Sequence, residues 1–226
     1  MTLDGWAKLL TPVNLWFLAK ALGTTLELAL LVAVVSFPIA AVLGIYRATT
    51  TGVVRWPSTI FVDGIRNTPL LVLIFFMRFG PPTVGVRFDS FTAAAVAMII
   101  YSSANLAEVF RAGIESVPRG QRQAAMAIGL TSVQAYVRIV LPQAFRNMLP
   151  ALVGQFIILL QGTALVSAFS VIELTGAGEI LFNRYGNPLE TYAFIGLIYF
   201  TVDFALANGR ALLERRYGAA GVAPAD

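Results

Sequence analysis

Gln123-Ala124-Ala125-Met126-Ala127-Ile128-Gly129, followed after nine intervening residues by Ile139-Val140-Leu141-Pro142, forms a polar-edged stretch between long apolar runs. It reads as two short helices joined at a turn. Ala124, Ala125 and Ile128 recur at the one- and three-residue offsets of a single helix face. Gly129 stands where a helix ends, because glycine enters the left-handed region without a Cβ clash. Thr131 then opens a second helix, and Gln134 three residues on completes a capping box. Pro142, with no N–H to donate, is expected to stop that helix. The Ala-Ala pair leaves a flat surface onto which another protein's backbone can pack, so the stretch is a docking element.

The rest of the chain belongs in a membrane. Its 226 residues are 58% hydrophobic and 12% charged, with mean hydropathy +0.76. A soluble domain carries roughly twice that charged fraction. There is no cysteine and no histidine, which excludes disulfide frameworks, thiol chemistry and imidazole metal or acid/base sites. No Gly-x-x-x-x-Gly-Lys-Ser/Thr phosphate loop occurs; Arg119-Gly120 and Arg210-Ala211 lack the glycine spacing. No catalytic residue, metal site or cofactor is therefore expected on this chain, and nothing marks it for nucleic acid. No cleavable signal peptide is evident, since the first apolar run is long and lacks a clear small-residue cleavage site.

Residues 1–20 mix charges with Trp6, Trp16 and Phe17 and suit an interfacial segment at the headgroup level. A membrane domain then runs over 21–216, and 217–226 form a short tail. Leu28 to Tyr46 is uncharged and long enough for one span at ~1.5 Å per residue. Pro38 lies inside it, and Ser36, Ala40 and Gly44 place small residues at four-residue spacing, a packing stripe. The next run reaches spanning length only by admitting Asp63, Arg66 and Pro69. A helix broken at Asn67-Thr68-Pro69 is expected, and broken helices are tolerated where they line an enclosed cavity. Asp63 and Arg66 either pair across one turn or snorkel at a helix end. A turn-rich segment from Arg78 to Ser90 leads to a third span, Phe91 to about Arg111, with Ser102, Ser103 and Asn105 as a polar stripe. A fourth run, Asn147 to Ile172, is interrupted at Gln161-Gly162-Thr163. Glu173 to Pro188 is a loop or a re-entrant segment, and Thr191 to about Leu213 is the fifth span, carrying Asp203.

Arginine placement orients the chain. One side holds Arg47, Arg55, Arg111, Arg119, Arg122, Arg138, Arg146, Arg210, Arg215 and Arg216. The other has fewer basic residues, diluted by acids. By the positive-inside rule the docking stretch and the tail are cytoplasmic and the amino terminus lies outside.

The docking stretch resembles the EAA loop of ABC-importer permeases: Glu-Ala-Ala, three residues, Gly, nine residues, Ile-x-Leu-Pro. Only the leading Glu differs, being Gln123. The context from Arg111-Ala112-Gly113-Ile114 to Leu141-Pro142-Gln143-Ala144-Phe145-Arg146 is similar to the polar-amino-acid (histidine/glutamine/glutamate-type) subfamily. That resemblance implies an all-α polytopic inner-membrane protein with five transmembrane helices and the type I ABC-importer permease fold. Its docking loop would occupy about 116–142, with Arg122, Gln123, Ala124, Ala125, Gly129, Ile139, Leu141 and Pro142 facing the ATPase. It also implies partners: two ABC ATPase subunits holding ATP and Mg, a second permease (a second copy or a sister subunit), an extracytoplasmic amino-acid-binding protein, and membrane lipid. The candidate substrate residues are Arg66, Asn67, Thr68, Ser103, Glu108, Gln161, Gly162 and Thr163. Glu108 matches a family glutamate, although a helix-end carboxylate capped by Arg111 explains it equally well. Gly162 stands where the family often has Asp. That loss tilts the expected solute towards an acidic or neutral polar amino acid (glutamate, aspartate or glutamine). Arg78 is an interfacial anchor or a solute ligand. A stand-alone secondary transporter or channel is the competing reading; it would have no use for the docking loop.

Overall fold

The computed structural model describes residues 3–217. Arg210, Arg215 and Arg216, used above for orientation, have side chains outside that description, and the expected tail lies outside the described residues from 218 on. Among the described residues every regular element is helical: α1 (Leu3–Leu9), α2 (Pro12–Thr49), α3 (Trp56–Arg66), α4 (Leu70–Phe79), α5 (Ser90–Glu115), α6 (Arg119–Ala127), α7 (Ser132–Ala135), α8 (Leu141–Gly162), α9 (Leu174–Tyr185) and α10 (Pro188–Tyr217).

Among the described residues four helical stretches are long and apolar enough to cross a membrane, or five if the bent pair α3 and α4 counts as one span. That pair is broken at Asn67-Thr68-Pro69, as the polar interruption predicts. One helix, α2, runs from Pro12 through residue 20 to Thr49, because Pro12 suits a first helical turn. Of the two readings of Glu173 to Pro188 the loop is excluded: Leu174–Tyr185 forms α9, which buries Leu174, Ala177 and Leu181. One expectation needs correction: Pro142 does not end a helix. The chain passes from α7 through a π-helical turn, Tyr136–Val140, directly into α8. Leu141 N–H reaches back five residues to the Tyr136 carbonyl, and the widened turn leaves room for the proline ring that an α-helical register would drive into a carbonyl.

Contacts divide the chain into two compact units: Met1–Val35, Thr68–Tyr101 and Phe156–Ala205 form one, and Ser36–Asn67, Ser102–Gln155 and Leu206–Asp226 the other. The first has two apolar clusters. One is built on Leu28, Val32, Ile74, Met98, Val166 and Phe169, and the other on Leu9, Leu18, Leu174, Leu181 and Ile195. Glu173 is fully buried beside the second cluster and caps α9. Its carboxylate accepts from Gly176 N–H (2.8 Å), from Tyr199 Oη (2.9 Å) and from Thr25 Oγ1 (3.4 Å). Thr25 Oγ1 in turn accepts Leu174 N–H at 3.0 Å. Burial pushes the Glu173 carboxyl's pKa above its ordinary value, against the opposing pull of these donors.

The second unit is organised around the small-residue stripe. Ser36 and Ala40 are fully buried. A Cβ on Gly44 would stand 2.4 Å from Phe110 Cβ and 2.6 Å from the Ala107 carbonyl oxygen. The absent side chain is what lets α2 touch α5 backbone to backbone, as the spacing predicts.

Candidate functional site

The docking stretch folds as a rigid helix–turn–helix. At the end of α6, Leu130 N–H bonds the Ala125 carbonyl (3.2 Å) and Gly129 N–H the Met126 carbonyl (3.0 Å). This is the paired pattern of a Schellman stop, with Gly129 at φ +91°. Thr131 caps α7, and its capping box with Gln134 is complete: Gln134 N–H donates to Thr131 Oγ1 at 3.3 Å, and Thr131 N–H to Gln134 Oε1 at 3.0 Å. Arg122 bridges the two helices by bonding Ser132 Oγ at 3.2 Å and lying over the Tyr136 ring at 5.0 Å. The predicted single face is split. Ala125 is buried, while Gln123, Ala124 and Ile128 are exposed, Ile128 by 81%. One alanine therefore fixes the turn and the other faces outward with Ile128. Pro142 and Leu141 lie in the first turn of α8. Ile139 lies in the π turn, and its carbonyl accepts from Gln143 Nε2 at 2.9 Å.

The eight candidate substrate residues fall into two sets, each within its own unit. In the second unit Glu108 is a hub. It accepts from Arg47 Nη1 at 3.1 Å, pairs closely with Arg111, and faces Arg66 at 3.7 Å. Arg47 is only 4% exposed and spends its other terminal nitrogen on Asp63 at 3.1 Å. Asp63 thus pairs with Arg47, and no Asp63–Arg66 bridge forms. Arg111 caps Glu108, as the helix-end reading has it, and Arg47 and Arg66 share the same carboxylate. Arg47 was the residue that sequence reasoning missed, having been counted only as a loop arginine. Its position in the last turn of an apolar helix, where a lone charge needs a carboxylate, was the available signal. Asn67 ends α3, with its backbone N–H and its Nδ2 both donating to the Asp63 carbonyl. Ser103 is buried and its Oγ has no partner.

In the first unit Gln161 and Gly162 close α8, and Thr163 opens the 3-10 turn that follows it. Gln161 Nε2 donates to Asp203 Oδ2 at 2.7 Å, so the span-five acid that had no partner in the sequence acquires one, while its Oδ1 stays unpaired. A Cβ on Gly162 would meet only flexible side-chain ends, Leu70 Cδ2 at 3.2 Å and Met98 Cε at 3.9 Å. Thr163 is buried and bonds the Leu160 carbonyl. Thr68 and the α4 amino terminus, which has no side-chain cap, belong to this unit.

Residues 36–218 match the family model described as "Binding-protein-dependent transport system inner membrane component". The chain belongs to this family. Its similarity extends to "Probable glutamine ABC transporter permease protein GlnM" of Bacillus subtilis (strain 168), 35% identical over 80% of this chain and 84% of that protein. "Probable glutamine ABC transporter permease protein GlnP" of the same organism is 34% identical over 90% of this chain and 94% of that one. Among solved structures, an amino acid ABC transporter crystallised with histidines matches with a TM-score of 0.88 and 30% identity, over 96% of this chain and 100% of the other. The fold is that of a type I ABC-importer permease. This binding-protein-dependent permease is the inner-membrane component of an ABC amino-acid importer, a multi-pass protein.

Proposed function

We propose that this permease carries a polar amino acid, glutamine first among glutamate, aspartate and glutamine, by alternating access driven through its docking segment by separate ATPase subunits. The carrying observation is the build of that segment. A Schellman stop, a complete capping box and the Arg122 bridge make a stiff body, with Ala124 and Ile128 left outward for a partner. Stiffness matters because a push delivered to a floppy loop would be lost in local bending. ATP and Mg reside on the partner pair, whose closure moves this body and the helices attached to it. Two ATPase subunits, a second permease and an external amino-acid-binding protein complete the assembly. The basic face of the chain lies in the cytoplasm and the amino terminus outside.

Solute preference rests on Gln161, Gly162 and Thr163, with Thr68 at the broken helix. No acid stands at 162 to hold a cationic side chain. Asp203, bonded to Gln161, disfavours a second carboxylate beside it, which favours an uncharged amide over glutamate. Arg66 and Glu108 are occupied with each other and with Arg47. The test is ATPase stimulation in the reconstituted complex with the cognate binding protein, screened across amino acids. Glutamine should stimulate most, and Gly162→Asp should raise the relative response to arginine and lower that to glutamate. Equal responses of parent and variant to every solute would remove residue 162 from the path.

A further inference from the structure

The second unit carries a cavity of about 560 Å³ whose chemistry is not that of the docking segment or of the Gln161 stretch. Four arginines line it, Arg47, Arg55, Arg66 and Arg111, against two carboxylates, Asp63 and Glu108. The lining is therefore positive by two charges, one of them offset by Glu115, which pairs with Arg111 from outside the lining. The ion pairs already described engage three of those arginines. Arg55 makes none among the described residues, which leaves its guanidinium for an incoming anion; the Arg47 Nε–H, without an acceptor, is closed off inside the protein. α3 begins at the same cavity with Trp56 and Thr59, the Trp56 N–H being already bonded to the Val53 carbonyl of the preceding 3-10 turn. An unpaired guanidinium on a lining with surplus positive charge calls for an anion.

The rim says which anion. Arg55 sits in a four-residue 3-10 turn between Val54 and Trp56; Val53 is 83%, Val54 64% and Trp56 66% exposed. An indole beside a cation, flanked by bare valines, has the composition of the zone where headgroups meet acyl chains. A soluble anion gains nothing from that apolar rim, whereas a phospholipid satisfies both parts, its phosphate in the basic cavity and its chains along the valines and indole. Basic pockets at helix ends hold lipid headgroups in this way. We infer that the cavity bounded by Arg55, Trp56 and Arg47 is a binding site for the phosphate headgroup of an anionic phospholipid.

Trp56 reports on its own site. In full-length protein carrying Trp6→Phe and Trp16→Phe, it is the single tryptophan. The protein is reconstituted into phosphatidylethanolamine vesicles containing a minor fraction of dibrominated phosphatidylglycerol, or the same fraction of dibrominated phosphatidylcholine. Quenching by the anionic lipid should exceed that by the zwitterionic lipid, and Arg55→Gln, which breaks no ion pair, should reduce the preference about fivefold. Equal quenching by the two lipids would overturn the inference, as would a preference untouched by Arg55→Gln. Inorganic phosphate or glutamate, added at constant ionic strength, should leave the preference standing. Its abolition by either would assign the cavity to a soluble anion.

Discussion

At the scale of single residues, Gly44 and Glu173 show opposite ways of fixing a membrane helix. Gly44 works by absence. With Phe110 Cβ and the Ala107 carbonyl inside any Cβ's reach, Gly44→Val must push α2 off α5. The expected cost is about 1–3 kcal/mol, read as an earlier thermal transition of the detergent-solubilised protein; an unchanged transition would mean the contact is slack. Glu173 works by saturation, its carboxylate meeting three donors in a fully buried place. Its pKa is raised, so the folded protein holds a proton there at pH values where the unfolded chain has released it. The stability this gives is complete below the ordinary carboxyl range and is lost as pH rises through the raised folded-state value. Thermal scans from the ordinary carboxyl range upward should therefore show stability falling, with the fall reduced in Glu173→Gln. The same slope in the variant would place the titration elsewhere.

At the scale of elements, the docking segment shows what a sequence discloses and what it hides. The Gly129 stop and the Thr131–Gln134 box were legible because caps are local, set by residues a few positions apart. The fate of Ala125 was not, because burial of one alanine and exposure of its neighbour depend on what lies underneath. Gly129 has open space around its Cα but a positive φ, so a side chain there strains the backbone by about 1–2 kcal/mol without a clash. Gly129→Asp should leave the protein folded and membrane-inserted while separating ATP hydrolysis from solute uptake in the assembled importer. Normal accumulation by that variant would count heavily against the docking role. The break at Asn67-Thr68-Pro69 was legible for the same local reason. The helix α9 was not, since its glycines read as a loop until Ile195 and Thr191 are seen filling the space beside Gly178.

At the scale of the whole molecule, composition and apolar run length identified a polytopic helical protein, and the docking pattern identified its family. The charge clusters stayed hidden because their members come from distant segments: Arg47, Asp63 and Glu108 meet only after folding, as do Gln161 and Asp203. One local surprise reaches beyond its own turn. The π winding at Tyr136–Val140 holds a spare link, one residue more than α-helical winding would use. That link gives the Pro142 ring room at the junction, whereas Pro38 and Pro150 lie within plain α-helical winding. Deleting Arg138 should take up the slack, bring the Pro142 ring against a carbonyl and lower the thermal transition by a cost of about 3 kcal/mol. The same deletion paired with Pro142→Ala should recover most of that loss; an equal loss in both variants would mean the spare link does not serve the proline.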